Sequence, residues 1–550
     1  MNTIRQLQIG EPAGKGRSLG AQAIQSTDAE VTEALGEDVI VVGGSGSGKD
    51  VAVNAGDLLA EDVRASGQPT GVRVAIVAKK SGNAEGAKGD RKTNASSEGS
   101  SEEPPPTVPA RDKQGGEDPW KIYGAERGVW SEKMLMALRK EGEGSKWFSL
   151  IDKVGRLDVL ELAWEKVKSN AGGCGVDGIT VERFDKDSHN RLLAVKKHIE
   201  EGSYQPQPVK RVWIPKLGSA EKRPLGIPTV RDRVVQTALK MVMEPIFESR
   251  FAEHSYGFRP GRSCRDALRR VDGLLKSGHL HVVDIDIRGY FDAIEQKKLM
   301  RLVEERIADG RVLELIGKFL KQGIKDGVES WEPESGTPQG AVLSPLLANL
   351  YLNPLDWLLA EAGMEMVRYA DDMVVLCRDP QEAEQALGRV RSWMETAGLE
   401  LHPQKTKIVS MDQVGSHFDF LGYRFWRSKK GPLLRLVRAK SERNLKEKLK
   451  PRTKRCNGNG VPAIIAKINP TLKGWYGYFR HASANALRSV DRWVRGRLRS
   501  ILRKQHKRKG RARGRDHQRW RNSYFDELGL YCLVQARRLE IISLRNGAKC

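Results

Sequence analysis

The sequence predicts an α+β protein whose C-terminal region is mainly helical and basic. Three observations predict it. His281-Val282-Val283-Asp284-Ile285-Asp286 and Met366 to Leu376 are apolar, β-branched runs that end in or are broken by carboxylates, as strands read. Apolar residues recur at helical spacing over 157–167, 231–251 and 381–397. From Arg427 onward helical periodicity is combined with a dense run of arginines and interleaved aromatics.

Each element bears on chemistry. Met366 to Leu376 reads as a β-hairpin with Ala370-Asp371-Asp372 at its turn. Adjacent aspartates repel, and a turn with no other duty more often carries Asn-Gly or Asp-Gly. A hard divalent cation such as Mg²⁺ relieves that repulsion. By itself the stretch is equally well an ordinary solvated turn. The second strand, ending at Asp286 and followed by Ile287-Arg288-Gly289-Tyr290-Phe291-Asp292, changes the balance. Asp286 beside Asp371 would complete a two-metal site for in-line phosphoryl transfer at a primer 3′-hydroxyl.

A chain of 550 residues holds two to four domains, and 39% hydrophobic residues suffice for a sizeable core. The net charge of +24 favours a polyanionic partner, because lysines and arginines release counterions when they neutralise phosphates. The six cysteines form no Cys-x-x-Cys pair, which argues against a zinc module or a disulfide framework and fits a reducing interior. No apolar run reaches membrane-spanning length, and no apolar segment follows Arg5 to make a secretory signal.

Residues 1–118 read as a flexible, low-complexity extension ending near Pro104-Pro105-Pro106. Gly43-Gly44-Ser45-Gly46-Ser47-Gly48-Lys49-Asp50 nearly spells a phosphate-binding loop, but Asp50 replaces the hydroxyl that would hold Mg²⁺. Order is expected from about Trp120, with a helix over 157–167 and a glycine-rich turn, Gly172 to Gly178. Val209 to Lys216 alternates as a strand and leads through a loop to Lys222-Arg223-Pro224-Leu225-Gly226-Ile227-Pro228. Lys216 and Arg223 across that hairpin either clamp a triphosphate or are ordinary surface cations. Arg231 to Phe251 reads as an amphipathic helix with Val235, Leu239, Val242, Met243, Ile246 and Phe247 buried, and Tyr256 to Ser263 as an aromatic, basic loop suited to a nucleic-acid backbone. Gly336-Thr337-Pro338-Gln339-Gly340 opens a helix to Leu355, and Phe418 to Phe425 forms two short strands about Gly422. In the C-terminal region Leu487, Val490, Val494, Leu498 and Ile501 make a buried stripe. Arg488, Arg492, Arg495, Arg499 and Arg503, with Lys504, Lys507 and Arg508 beyond, are the expected RNA contacts.

The ordered set of motifs resembles the reverse transcriptase and maturase proteins encoded by bacterial group II introns, over about residues 150–525. It comprises Gly175-Val176-Asp177-Gly178, Arg223 to Pro228, Tyr256-Gly257-Phe258-Arg259-Pro260-Gly261, Asp286 to Asp292, Thr337-Pro338-Gln339-Gly340, Tyr369-Ala370-Asp371-Asp372 and Phe420-Leu421-Gly422-Tyr423. Leu472-Lys473-Gly474-Trp475-Tyr476-Gly477-Tyr478-Phe479 resembles the maturase signature. The resemblance implies a right-hand polymerase, with fingers and palm over 119–425 and a thumb and helical RNA-binding maturase domain over 426–550. It implies that Asp286, Asp371 and Asp372 are catalytic and hold two Mg²⁺ ions, with the backbone carbonyl of Ile287 added to the metal shell. It assigns Phe291 to exclusion of a nucleotide 2′-hydroxyl, Lys216 and Arg223 to the triphosphate, and Gln339 to the nucleotide pocket. Lys405 would protonate the leaving pyrophosphate, and Leu421, Gly422 and Tyr423 would support the primer end.

The implied partners are the group II intron RNA, an RNA template with a DNA primer, deoxynucleoside triphosphates and target DNA, with no membrane. The implied setting is the bacterial cytoplasm, at the nucleoid during integration. Many relatives carry a C-terminal endonuclease domain with paired cysteines and histidines. No such cluster precedes Cys550, so second-strand DNA cleavage is not expected. Two alternatives stand beside this reading: a splicing-only RNA-binding protein, and a reverse transcriptase of another retroelement or defence system. The intact acidic triad argues against the first, and the Trp475 signature against the second.

Overall fold

The computed structural model describes residues 120, 123–140, 145–215, 222–456, 458–508, 510 and 514–547. The N-terminal extension with its Gly43–Asp50 loop, and Lys216, lie outside the described residues. The strands, in chain order, are β1 (Val209–Pro215), β2 (Lys222–Ile227), β3 (His281–Ile285), β4 (Ile324–Asp326), β5 (Glu329–Trp331), β6 (Glu365–Tyr369), β7 (Asp372–Cys377), β8 (Lys407–Ser410), β9 (His417–Phe420), β10 (Tyr423–Arg427) and β11 (Leu433–Val437).

They form three sheets, ordered β2-β1-β4-β5, β6-β7-β3-β8 and β11-β10-β9. The central sheet, β6-β7-β3-β8, is antiparallel throughout. Its strands are apolar on both sides because it separates two cores. Met373, Val375 and Cys377 of β7, with Val283 and Ile285 of β3, face one core, built from helices Leu157–Asn170, Val230–Glu248, Ser344–Glu361 and Pro380–Ala397. Val374, Leu376 and Val282 face the other, which holds helix Cys264–Lys276, the β9–β10 strands and helices Val461–Phe479 and Ala484–Gln505. Successive residues of a strand point to opposite faces, so each strand contributes to both cores in turn.

The helix expected over 231–251 spans Val230–Glu248, capped by Thr229, whose hydroxyl accepts from the Asp232 amide. It is not amphipathic in the simple sense: Asp232, Gln236 and Thr237 are buried along with the apolar stripe. Neighbours on several sides supply the partners. Asp232 accepts from the Tyr204 hydroxyl at 2.6 Å and from Thr229 Oγ1 at 2.8 Å. Arg233 donates to the carbonyls of Ala171 and Gly173 and so pins the glycine-rich turn to this helix. Among the described residues no helix is long and apolar enough to cross a membrane.

Candidate active site

The antiparallel pairing of β3 with β7 sets Ile285 opposite Met373 and Asp284 opposite Val374. Carried one residue further, that register brings Asp286 alongside Asp372, on the face shared by Asp284 and Val374. The β6–β7 hairpin closes with Tyr369 opposite Asp372, leaving Ala370 and Asp371 as a two-residue turn. Residues remote in sequence, Asp286 and the Asp371-Asp372 pair, therefore meet at one end of one sheet.

Asp286 is held by its backbone as well as by its position. Its carbonyl accepts from the His402 amide at 2.8 Å, and Ile287 forms an isolated bridge with Leu401. The Lys405 ammonium donates to both carboxylate oxygens of Asp286, at 3.0 and 3.1 Å. Among the described residues no three or more His, Cys, Asp or Glu side chains stand as a ready-made ligand group. The donor chemistry nevertheless fits a hard divalent cation, because the convergent groups are carboxylates and the oxygens of Asp286 are already aimed at one cation. Lys405 is a stand-in for it: its side chain is 55% exposed on a flexible stem and can swing away. Further along β3, burial pushes the Asp284 carboxyl up to about 6, opposed by Lys407 across the sheet and reinforced by Asp419 and Asp286.

The surroundings place the other expected residues. Phe291 lies in the short helix Tyr290–Ala293, edge-on to Tyr290 at 5.5 Å, and its carbonyl accepts from the Thr337 amide at 2.8 Å. A Cβ on Gly336, whose φ is +82°, would lie 2.8 Å from that same carbonyl. The turn before helix Ser344–Glu361 is thus seated on Phe291 and Asp292. Gln339 is half-buried and accepts through its carbonyl from the Gly226 amide at 2.7 Å. It lines a cleft of about 40 Å³ with Arg211, Pro224 and Asp292. Arg223 sits in β2 opposite Ile214.

Leu421 and Gly422 form the β9–β10 turn, with φ of +46° and +74°. The turn is covered by the maturase-signature helix Val461–Phe479: the Tyr423 hydroxyl donates to the Tyr478 carbonyl at 2.7 Å, and the Tyr478 hydroxyl donates to the Leu421 carbonyl at 2.9 Å. Trp475, Tyr476, Tyr478, Phe479 and Trp520 are buried. These aromatics are core, not a stacking surface, whereas Trp493 is half-buried beside Arg443 and Lys446, with Arg497 over its ring.

The arginines divide. Arg488, Arg492, Lys504, Lys507 and Arg508 are exposed. Arg495 donates to Asp526, Arg503 pairs with Asp516 at 3.0 Å, and Arg499 is buried, donating to the Trp520 carbonyl and Asn522 and lying over the Phe525 ring. These three expected RNA contacts are corrected to internal ones: their guanidiniums tie segment 514–527 onto the helix. Arg259 likewise departs from the backbone-contact expectation. It is 4% exposed and bound to Glu248 and to the carbonyls of Ala252 and Ser255. Sequence reasoning assigned no role at the β6–β7 turn to Arg368, Asn349, Asp356 or Gly257, which surround it. The available signal was an arginine inside an apolar strand, between Val367 and Tyr369.

Two family models match the chain: "Reverse transcriptase (RNA-dependent DNA polymerase)" over residues 214–425 and "Group II intron, maturase-specific domain" over 442–520. Protein YkfC of Escherichia coli (strain K12) is 35% identical over 294 residues, covering 46% of this chain and 76% of that protein. Group II intron-encoded protein LtrA of Lactococcus lactis subsp. cremoris is 37% identical over 219 residues. That match covers 40% of this chain, which spans 36% of the length of LtrA.

Proposed function

The chain belongs to the family of group II intron reverse transcriptases with a maturase domain, and on that premise we propose that it copies RNA into DNA and binds its own intron RNA to assist splicing and mobility. The observation that carries the proposal is the meeting of Asp286 with the Asp371-Asp372 turn at one end of the central sheet.

In this reading Asp286, Asp371 and Asp372 hold two Mg²⁺ ions, with the Ile287 carbonyl beside them. Such ions lower the pKa of a primer hydroxyl and offset charge on the triphosphate. The protein's own residues do the rest. Arg223 and Lys216 grip the triphosphate, and Gln339 lines the nucleotide pocket. The Phe291 ring fills the space of a 2′-hydroxyl, so deoxynucleotides are preferred. Lys405, which pairs with Asp286, would supply a proton to the departing pyrophosphate. The β9–β10 turn at Leu421, Gly422 and Tyr423 supports the primer end.

Residues 119–425 form fingers and palm in this proposal, and 426–550 form the thumb and RNA-binding region. The exposed Arg488, Arg492, Lys504, Lys507 and Arg508 offset phosphate repulsion as the intron RNA compacts. Target DNA is the remaining partner, and the bacterial cytoplasm and nucleoid are the setting. Free thiols at Cys174, Cys264, Cys377, Cys456 and Cys532 suit that reducing compartment.

Primer extension on an RNA template tests the polymerase half, with Asp371→Ala as the control. Extension by wild type and none by the variant is expected, and equal signal from both removes the claim. Splicing of the flanking intron at low Mg²⁺, with and without protein, tests the other half. No difference would leave a reverse transcriptase without a splicing role.

A further inference from the structure

The β6–β7 turn rests on buried charge. Arg368 has no solvent exposure, and neither does the Asp356 side chain paired with it. The guanidinium donates from Nε to Asp356 Oδ1 at 2.7 Å and from Nη2 to Asp356 Oδ2. Its Nη1 donates to Asn349 Oδ1 and to the Ala370 carbonyl, both at 2.9 Å. Asn349 passes the connection on, donating from Nδ2 to the Gly257 carbonyl at 2.6 Å. The backbone of Arg368 joins the same loop: its amide donates to the His254 carbonyl at 2.9 Å, and its carbonyl accepts from the Tyr256 amide at 2.8 Å. Gly257 presses on the turn so closely that a Cβ there would lie 2.3 Å from the Ala370 nitrogen.

Two physical points turn this geometry into a role. A buried ion pair is a poor source of stability, since apolar residues of similar size often serve as well. Ala370 also holds φ of +56° at the first position of a two-residue hairpin turn, where glycine is the usual occupant. A strained turn persists only where its surroundings over-determine it. Here the Ala370 carbonyl is tethered by Arg368, and its amide side is closed by Gly257. The turn so fixed is the one that carries Asp371.

We propose that Arg368, braced by Asp356 and Asn349, is a positioning residue that aims the Asp371 carboxylate by holding the Ala370 carbonyl. It touches no substrate. It sets the angle at which the turn offers its acid groups to the cation shared with Asp286. The proposal rests on the polymerase reading of that turn.

The test uses the full chain and two variants. Arg368→Met with Asp356→Leu removes both buried charges together, so neither is stranded. Asn349→Ala keeps the ion pair and removes the brace together with its link to the Gly257 carbonyl. Melting temperature is measured first, then single-nucleotide incorporation against Mg²⁺ concentration and affinity for primer–template. The expected result is a melting temperature unchanged for at least one variant. In that variant the maximal rate falls by roughly 10²-fold, the size of effect that misplacement by about 1 Å produces. It also needs more Mg²⁺ for half-saturation and binds primer–template as wild type does. A folded variant with wild-type rate and Mg²⁺ requirement overturns the proposal. So does loss of melting temperature in both variants with no change in Mg²⁺ requirement, which would make the network a stabilising device. An inactive wild type sinks the polymerase reading itself, and this inference with it.

Discussion

The turns at Ala370-Asp371 and at Leu421-Gly422 are both two-residue hairpin turns, yet the groups that hold them differ in charge. The first has a single positive φ, on an alanine, and is secured by a buried arginine, an asparagine and a close-packed glycine. The second has two positive φ values and is covered by Tyr478 and Phe479, with Gly422 only 3.4 Å from the Phe479 ring once a Cβ is added. Both turns have their carbonyls fixed by hydrogen bonds, the first by a buried guanidinium and the second by the neutral Tyr478 hydroxyl and Arg438 amide. At the second, the Phe479 ring adds packing, which is not directional as a hydrogen bond is.

The contrast can be broken from either side. Gly257→Ala is expected to have the largest effect, because its new Cβ meets the Ala370 backbone at 2.3 Å and backbone cannot yield as a side-chain tip does. Primer extension should fall by at least ~10²-fold, whereas Gly422→Ala, which meets Ser441 Oγ at 3.3 Å, should retain most of it. Arg499→Ala comes next. It strands the Trp520 carbonyl and Asn522 and should cost about 2–4 kcal/mol by denaturant unfolding. Arg492→Ala, on the same helix but exposed, should leave stability alone and lower the salt dependence of RNA binding by about one phosphate. Tyr478→Phe removes the donor to the Leu421 carbonyl and should cost about 1 kcal/mol with activity largely kept.

The smallest effect is expected with pH. Burial holds the His254 imidazole below its ordinary 6.5, against the pull of Glu365. The unfolded chain therefore takes up its proton first as pH falls below 6.5, so stability is fully present above that value and declines beneath it. Melting temperature should hold down to about pH 6.5 and drop below it, and less so in His254→Gln.

Much of this site is legible in the residues because strands advertise themselves locally. The β-branched runs that become β3, β6 and β7 show where carboxylates interrupt an apolar pattern, and the motif order supplies the pairing. Charge on the Ala484–Gln505 helix is less legible. Spacing shows a cationic stripe, but the acids that claim Arg495 and Arg503, Asp526 and Asp516, come from a later segment whose docking no periodicity reveals. The aromatics near Trp475 mislead for a related reason: interleaving with arginines looks like a nucleic-acid surface until a second helix layer buries them. Arg368 was visible as an oddity in its strand, but its partners Asn349 and Asp356 are spaced on a helix that only tertiary packing brings beneath the turn.

The proposed sharing of bound metal between Asp286 and the Asp371 turn can be read directly. Iron(II) can replace Mg²⁺ at carboxylate sites and, with ascorbate and peroxide, cuts the backbone beside it. Paired cuts are expected in the wild-type chain, one near Asp286 and one near Asp371, with both lost in Asp371→Ala. Cutting at only one of these places, or an unchanged pattern in the variant, would contradict it.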